Sequence, residues 1–322
     1  MRKTTVLIVG AGPAGTACAW RLMQANVDCL LLDRHTFPRL KSCAGWITPG
    51  ILRAIDFNPQ EYPFSFTTFT RFHIAIRGFQ FTLPTRQHAI RRIEFDHWLL
   101  QRCRAPLEQH NVRRILAVND GYEIDGQYFA NFLVGAGGTS CPVYRAFFRR
   151  LNPRPKDALI LALEEEFPLP SADADCRLWF MQHGLPGYAW YVPKAGGVVN
   201  VGIGAKALKL KQTGARLQEH WQAFLTRLEH LGLVAPRVWQ PVSHTYYLRH
   251  QPLAMRSGNA FLTGDAAGLA TLDMGEGIAP AILSGLRAAD AILHGTPCTP
   301  TGIPRYSLPA ILFAGLPGSK HF

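Results

Sequence analysis

Residues 4–15 of this 322-residue chain read TTVLIVGAGPAG. The first six are apolar or β-branched, which is the pattern of a short buried strand. Gly10, Gly12 and Gly15 follow at G-x-G-x-x-G spacing, and the next residues, TACAWRLMQAN, have helical character. A glycine loop between a buried strand and a helix predicts a βαβ unit that binds a dinucleotide.

Each residue of this loop has its own expected part in the binding. Gly10 permits the tight turn, Gly12 lets the backbone approach a pyrophosphate, and Gly15 allows the helix to pack closely on the strand. Pro13 and Ala14 begin the helix, whose unpaired N–H groups place positive potential at the phosphates. All five residues are therefore predicted contacts of the cofactor.

The next predicted buried strand runs from Asp28 to Leu32, and Asp33 follows at its end. An acid at this place accepts a hydrogen bond from a ribose hydroxyl, and it favours an unphosphorylated adenosine ribose, as in FAD or NAD. Arg34, the next residue along the chain, is predicted to contact the cofactor as well.

The strand-and-helix layer that begins with this loop returns twice along the chain. It occupies residues 1–60, 90–150 and 256–295, whereas a strand-rich insertion occupies residues 61–89 and 151–255, with one predicted helix at roughly 215–231. The predicted fold class is α/β, with a discontinuous Rossmann-like domain for the dinucleotide and an inserted, mainly antiparallel β-sheet domain for the substrate. Residues 296–322 form a short, proline-rich C-terminal tail.

The chain carries a formal net charge of +12, which favours an anionic partner. Nine arginines between Arg71 and Arg114 face only three acidic residues, and a second basic group lies between Arg145 and Lys156. Because no nucleic-acid-binding motif accompanies them, we expect an anionic membrane surface or a phosphate-bearing lipid as partner, and no nucleic acid. A solvated basic surface without a partner is the alternative.

Cysteine and histidine spacing bears on the compartment and on metals. The seven cysteines include no C-x-x-C pair, and the twelve histidines show no H-E-x-x-H spacing. We therefore expect no disulfide framework, no metal site and a cytoplasmic location. No apolar stretch approaches the length of a membrane span and the N-terminus lacks the pattern of a signal peptide, so any contact with a membrane is expected to be peripheral.

Two glycine motifs near the end of the chain resemble the second flavin fingerprint of FAD-dependent oxidoreductases of the aromatic-hydroxylase type. They are GDAAG at 264–268, after a strand-like segment, and GEGI at 275–278, at the start of a helix. The resemblance implies that the dinucleotide is FAD, with Asp265 at the ribityl chain or its neighbouring phosphate. The amides of Gly277 and Ile278 would face the N1–C2=O edge of the flavin. The predicted contacts here are Gly264, Asp265, Gly275, Gly277 and Ile278.

Two other positions match the same superfamily. Arg92, in RIEFDHWL, matches an arginine that reaches the flavin diphosphate in those proteins. The GAGG sequence at 135–138 matches their middle motif, but Gly137 replaces the usual acid.

Further segments resemble the geranylgeranyl reductase family. FPR at 37–39 and KSCAG at 41–45 resemble its F-P-R-x-K-x-C-G-G segment, with Ala44 in place of the first glycine. GYAWYVP at 187–193 resembles its Y-x-W-x-F-P motif, with Val192 in place of the phenylalanine. The resemblance implies that one loop lies near the flavin and that two aromatic residues line an apolar substrate pocket. These residues are Ser42, Cys43, Ala44 and Gly45 for the loop, and Tyr188 and Trp190 for the pocket.

The resemblance implies an FAD-dependent oxidoreductase that reduces C=C bonds of a polyprenyl lipid or prenyl phosphate. NAD(P)H or reduced ferredoxin would be the electron donor. Cys43 is the predicted catalytic residue, because a thiol is a stronger acid than a hydroxyl and can help to place or protonate an alkene carbon. Packing of Cys43 against the flavin without a chemical role is the alternative.

Two other functions stay open. Flavin monooxygenases and halogenases share both fingerprints, although halogenases carry W-x-W-x-I-P and Tyr188 stands at the first of those tryptophans. A flavin- or lipid-binding protein without turnover is the third possibility. It is suggested by the short tail, because members of the family generally continue with a further helical region.

Overall fold

A computed structural model of the protein describes residues 1–170 and 174–313. The strands are β1 (Arg2–Val9), β2 (Cys29–Asp33), β3 (Trp46–Ile47), β4 (Phe66–Ile76), β5 (Phe79–Ile90), β6 (Leu107–Gln109), β7 (Ile115–Val118), β8 (Gly121–Ile124), β9 (Tyr128–Gly135), β10 (Leu159–Pro168), β11 (Cys176–Phe180), β12 (Gly187–Lys194), β13 (Val198–Lys206), β14 (Val242–Tyr247), β15 (Arg256–Ser257) and β16 (Ala260–Leu262). The α-helices are α1 (Pro13–Gln24), α2 (Pro49–Ala54), α3 (Arg92–Cys103), α4 (Ala207–Thr213), α5 (Leu217–His230), α6 (Gly264–Ala267), α7 (Ile278–His294) and α8 (Leu308–Leu312). Of the predicted tail, residues 314–322 lie outside the described residues.

The chain forms two compact units, each around its own sheet. Unit 1 comprises Met1–Arg39, Ile93–Arg154 and Tyr246–Tyr306. Unit 2 comprises, among the described residues, Leu40–Arg92, Pro155–Thr245 and the chain from Ser307 onward.

Unit 1 contains an eight-stranded sheet with the central order β15-β16-β9-β1-β2-β6, and β7 and β8 extend it beside β9. β1 pairs in parallel with β2 and β9, and its inner residues are buried, as the apolar run predicts. Helices α1 and α7 pack closely because Gly285 has no side chain. A Cβ at this position would collide with the carbonyl oxygen of Ala14.

Unit 2 contains a second eight-stranded sheet, in the order β14-β10-β13-β12-β11-β4-β5-β3. Strands β10, β13, β12 and β11 are antiparallel to their neighbours in that order, and so are β4, β5 and β3, whereas β11 and β4 are parallel. One face of this sheet buries Tyr191, Val201 and Ile203 in a core with Trp221 and Phe224 of α5. The predicted fold class is confirmed.

No helix in the described part of the chain combines the length and the apolar character that a bilayer crossing requires.

Candidate functional site

The glycine loop between β1 and α1 is shaped by close backbone approaches. Gly10 has a φ of +108°, and a Cβ there would collide with the carbonyl oxygen of Ala136. A Cβ at Gly15 would collide with the carbonyl oxygen of Gly10. At Gly12, by contrast, a Cβ would make only an ordinary contact, 3.4 Å from the Arg39 guanidinium. The fold therefore requires glycine at positions 10 and 15, whereas position 12 has room for a small side chain.

Asp33 connects the end of β2 to this loop. Its side chain is buried, and its carboxylate accepts the N–H of Ala11 at 2.8 Å and the N–H of His35 at 2.9 Å. Each carboxylate oxygen retains acceptor capacity, so the group can also receive a ribose hydroxyl. Arg34 is exposed, and its Nε donates to the His35 ring at 2.9 Å.

The N-termini of α1 and α7 in unit 1 are not capped by the side chain of their N-cap residue. α1 begins at Pro13 after Gly12, and α7 begins at Ile278 after Gly277. Their N–H groups give each terminus a positive potential that suits a phosphate or an anionic ring edge. At α7, the carboxylate of Glu276 accepts the N–H of Ala279 at 2.7 Å. Burial raises the pKa of Glu276 to about 7.

The structure brings the two predicted fingerprints together in unit 1. A Cβ at Gly264, whose φ is +54°, would lie 3.1 Å from the Cβ of Ala281 in α7 and 3.3 Å from that of Ala14 in α1. A Cβ at Gly277 would lie 3.3 Å from Oδ1 of Asp265. Glycine loops, helix N-termini and two carboxylates thus converge, and this set of donors and acceptors fits a dinucleotide such as FAD.

Arg154 is a supporting residue that the sequence did not single out. Its guanidinium donates to the carbonyl oxygens of Thr139 at 2.5 Å and Ala266 at 2.8 Å, and it lies 3.6 Å from the centre of the Tyr144 ring. Asn152 donates to the carbonyl oxygen of Ala267 at 3.0 Å. These contacts hold α6, and with it Asp265, but no sequence motif marks the two residues.

The predicted cysteine loop lies in unit 2. Gly45 has a φ of +72°, its carbonyl oxygen accepts the N–H of Ile90 at 2.9 Å, and its own N–H donates to Sγ of Cys43 at 3.3 Å. Cys43 is half-buried, whereas the other six cysteines are buried. Ser42 and Ala44 are half-buried in the same loop.

A buried lysine holds this loop. The Lys194 side chain is completely buried, and its Nζ donates to Glu166 at 2.5 Å and to the carbonyl oxygen of Cys43 at 3.3 Å. Arg91 donates to the other oxygen of Glu166 at 2.8 Å. Burial raises the pKa of Glu166, but the charges of Lys194 and Arg91 outweigh this effect and hold the pKa below its usual value.

Trp190 lies across β13 on the sheet face opposite α5. A Cβ at Gly202 would collide with the indole ring, so glycine at this position makes room for it. The indole N–H donates to Oδ1 of Asn200 at 2.7 Å. The Tyr188 ring lies 5.6 Å from the Trp190 ring, and the Phe180 ring stacks on Tyr188 at 5.1 Å, so the two predicted pocket residues are adjacent.

Glu164 is a second acid on this face that the sequence did not single out. It pairs with Gly202 across the sheet and is only 1% exposed, and Nδ1 of His244 lies 3.4 Å from its Oε1. Burial raises the pKa of Glu164 to about 7, although the charges of Lys194 and Lys41 favour the ionised form. Burial also lowers the pKa of His244 to about 3, and Lys41 and Arg92 add to the effect. Arg92 itself is buried.

The predicted site residues therefore fall into two sets. Unit 1 holds Gly10, Gly12, Pro13, Ala14, Gly15, Asp33, Arg34, Gly264, Asp265, Gly275, Gly277 and Ile278. Unit 2 holds Ser42, Cys43, Ala44, Gly45, Arg92, Tyr188 and Trp190.

Several known proteins are similar to this chain. A family model described as an NAD(P)-binding Rossmann-like domain matches residues 8–45. An uncharacterised protein of Methanosarcina barkeri is 30% identical over 303 residues, which cover 91% of this chain and 75% of that protein. A menaquinone reductase of Mycobacterium tuberculosis is 26% identical, with coverage of 89% and 76%. A geranylgeranyl diphosphate reductase of Rhodobacter capsulatus is also 26% identical, with coverage of 90% and 75%.

Solved structures share the fold. A geranylgeranyl bacteriochlorophyll reductase-like protein of Thermoplasma acidophilum has a TM-score of 0.78 at 22% identity, covering 91% of this chain and 78% of that one. A flavin-dependent halogenase has a TM-score of 0.69 at 20% identity, covering 92% of this chain and 60% of that one.

Proposed function

The chain belongs to the geranylgeranyl reductase family of FAD-dependent oxidoreductases, and from this premise we propose that it reduces C=C bonds of a polyprenyl lipid or prenyl phosphate. The observation that carries the proposal is the pairing, in one chain, of a dinucleotide loop in unit 1 with the Cys43 loop and the Tyr188–Trp190 pair in unit 2.

Unit 1 is proposed as the FAD-binding domain. The α1 N-terminus at Gly12 would receive the pyrophosphate and Asp33 the adenosine ribose. Asp265 would hydrogen-bond the ribityl region, and the α7 N-terminus at Gly277 would stabilise negative charge on the flavin ring. When bound and reduced by the electron donor, the flavin would supply the hydride for one alkene carbon.

Unit 2 is proposed as the substrate-binding domain. Tyr188 and Trp190 would hold the apolar chain in place, because Trp190 is fixed by its hydrogen bond to Asn200 and by the space above Gly202. Cys43 would help to place or protonate the second alkene carbon. Lys194 would fix the loop that presents it, through its contact with the Cys43 carbonyl oxygen.

The basic surface and the electron donor complete the proposal. A net charge of +12 suits an anionic membrane surface, where such a substrate resides, and each basic residue near that surface contributes about 1 kcal/mol that salt screens. NAD(P)H or reduced ferredoxin would be the electron donor that reduces the bound flavin. We expect binding to anionic vesicles at low salt and release at high salt, measured by flotation. Equal binding of the protein to neutral vesicles would contradict the proposed electrostatic attraction to the membrane.

An anaerobic reoxidation experiment tests the reaction. Protein that is chemically reduced and then mixed with a geranylgeranyl lipid should regain its oxidised flavin spectrum, and the lipid should gain two hydrogens per reduced bond. The Gly12→Ala variant serves as the control, because its methyl group would lie where the pyrophosphate approaches and the variant is expected to lack FAD. A flavin that is reoxidised only by oxygen, with incorporation of oxygen or halide into an aromatic compound, would support the monooxygenase or halogenase alternative instead. Retention of FAD with no reoxidation by any prenyl lipid would support a binding protein without turnover.

A further inference from the structure

One face of the unit 2 sheet carries a row of apolar side chains that begins at the β4–β5 hairpin. Residues paired across neighbouring strands lie on the same face of a sheet. Phe79 pairs with Ile76, Ile76 with Phe180, and Phe180 with Tyr188. The row therefore crosses three strand spacings, roughly 14 Å, from the hairpin to the proposed substrate pocket.

A second row runs beside the first. Phe81 pairs with Ile74, Ile74 with Leu178, and Leu178 with Trp190. Exposure falls along it, from 47% at Phe81 to 9% at Ile74, 4% at Leu178 and 7% at Trp190. The first row begins still further out, because Phe79 is 81% exposed. Together the rows form an apolar track that starts in solvent and ends at the buried Trp190.

The outer end of the track is basic. Residues 66–92 include five arginines and no aspartate or glutamate; Arg77 is exposed in the hairpin turn two residues before Phe79, and Arg86 is exposed further along β5. An exposed aromatic pair with an exposed arginine at its hairpin turn matches the interface of an anionic bilayer, where aromatic rings enter the headgroup layer and arginines meet phosphates.

Helix α8 contacts β5 at Thr85, where the register between β4 and β5 shifts. The Thr85 hydroxyl donates to the carbonyl oxygen of Ile311 in α8 at 2.7 Å. Leu312, at the end of that helix, is 44% exposed and adds apolar surface there.

We propose that Phe79 and Phe81 dock unit 2 on an anionic bilayer and that the two rows guide a polyprenyl chain from the bilayer to Tyr188 and Trp190. The identity of the guided chain rests on the proposed function, whereas the docking does not. A lipid chain that leaves the bilayer along such a track never exposes its length to water, which removes the main cost of extracting it.

Vesicle flotation tests the docking. The double variant Phe79→Ser/Phe81→Ser should lose roughly tenfold or more of its affinity for phosphatidylglycerol vesicles, because two exposed aromatic anchors are removed. The matched control is Val238→Ser, also in unit 2, since Val238 is 82% exposed and lies outside the hairpin. It should bind like the parent. Unchanged binding of the double variant, or an equal loss in the control, would overturn the proposal. So would a change in oligomeric state with unchanged vesicle binding, which would make a second copy the occupant.

Turnover with two forms of the same substrate tests the guidance. The double variant should reduce vesicle-embedded polyprenyl lipid about tenfold more slowly than the parent, yet reduce detergent-dispersed lipid at the parental rate. Equal loss with both forms would overturn the guidance. A parent that reduces neither form would overturn the proposed function and the guidance with it, while flotation would still decide the docking. Circular dichroism of each variant confirms that the fold is retained.

Discussion

The dinucleotide loop of unit 1 and the aromatic sheet face of unit 2 are built in different ways. The loop is made by backbone: glycines at 10 and 15 remove side chains that would collide with carbonyl oxygens. The sheet face is made by side chains that hold one another, with Trp190 hydrogen-bonded to Asn200 and Lys194 between Glu166 and the Cys43 loop. A backbone site is visible in a sequence motif, whereas a side-chain site emerges only when distant strands come into register.

The largest expected effect separates two glycines of the same loop. Gly15→Ala places a Cβ against the carbonyl oxygen of Gly10 and should lower the free energy of unfolding by more than about 4 kcal/mol. Gly12→Ala makes only an ordinary contact with Arg39 and should keep the stability of the parent, but it should lose FAD because the methyl group lies where a pyrophosphate would approach. Urea unfolding and the flavin content of the purified variants provide the readouts. Equal stability of the two variants would contradict the backbone argument.

The two acids of the sheet face should respond to pH in opposite ways. The pKa of Glu164 rises from 4.5 to about 7 on folding, because burial disfavours the ionised carboxylate. The free energy of unfolding should therefore fall by about 3 kcal/mol as the pH rises from the lower to the higher of these values. Glu164→Gln should therefore raise the free energy of unfolding at pH 8 and change it little at pH 4.

Glu166 is the matched control, two residues along the same strand. Its pKa is lowered on folding, so it stabilises the fold above its unfolded pKa and loses that effect in acid. Glu166→Gln should destabilise the protein at pH 8, because Lys194 would be left buried beside a neutral amide. Urea unfolding at both pH values gives the comparison, and two variants that shift stability in the same direction at pH 8 would refute it.

Cys43→Ser probes the chemistry of the loop that Lys194 holds. A serine hydroxyl can still accept the N–H of Gly45, so the loop and FAD binding should be kept. Turnover should fall by roughly 10²-fold, because a hydroxyl is a far weaker acid than a thiol. Stopped-flow spectroscopy follows flavin reduction, which should be unchanged, separately from reoxidation by the prenyl lipid. Parental reoxidation in the variant would remove Cys43 from proton delivery.

Asp33→Ala should have the smallest of these effects. It removes a ribose acceptor and the link to the Ala11 N–H, and it should weaken FAD retention by about 1–3 kcal/mol. Dialysis against buffer without FAD measures the loss. Retention equal to that of the parent would mean that the ribose is held elsewhere.

Sequence motifs and periodicity predict the backbone features of this molecule well. The glycine loop at Gly10 to Gly15 and the helix that begins at Ile278 both follow from local patterns. The parallel pairing of β11 with β4 joins segments about a hundred residues apart and leaves no local signal. Helix α4 was missed as well.

The side-chain contacts were missed for the same reason. Arg154 sits in a basic cluster that gives no hint of its two carbonyl partners. Glu164 and Glu166 are the first and last members of the EEE run at 164–166, and only the burial and charges of the folded sheet separate their pKa values. The surroundings of the two acids depend on cross-strand register, and the contacts of Arg154 depend on segments that are distant in the chain; a motif encodes neither.

Mass spectrometry of polyprenyl lipids tests the reductase assignment most directly. Cells that produce the parent protein would be compared with cells that produce Gly12→Ala, which is expected to fold without FAD. The parent should shift prenyl lipids upward in mass by two hydrogens for each double bond reduced, and the variant should leave them unchanged. Identical lipid masses in both cells, with FAD bound to the parent protein, would contradict the assignment.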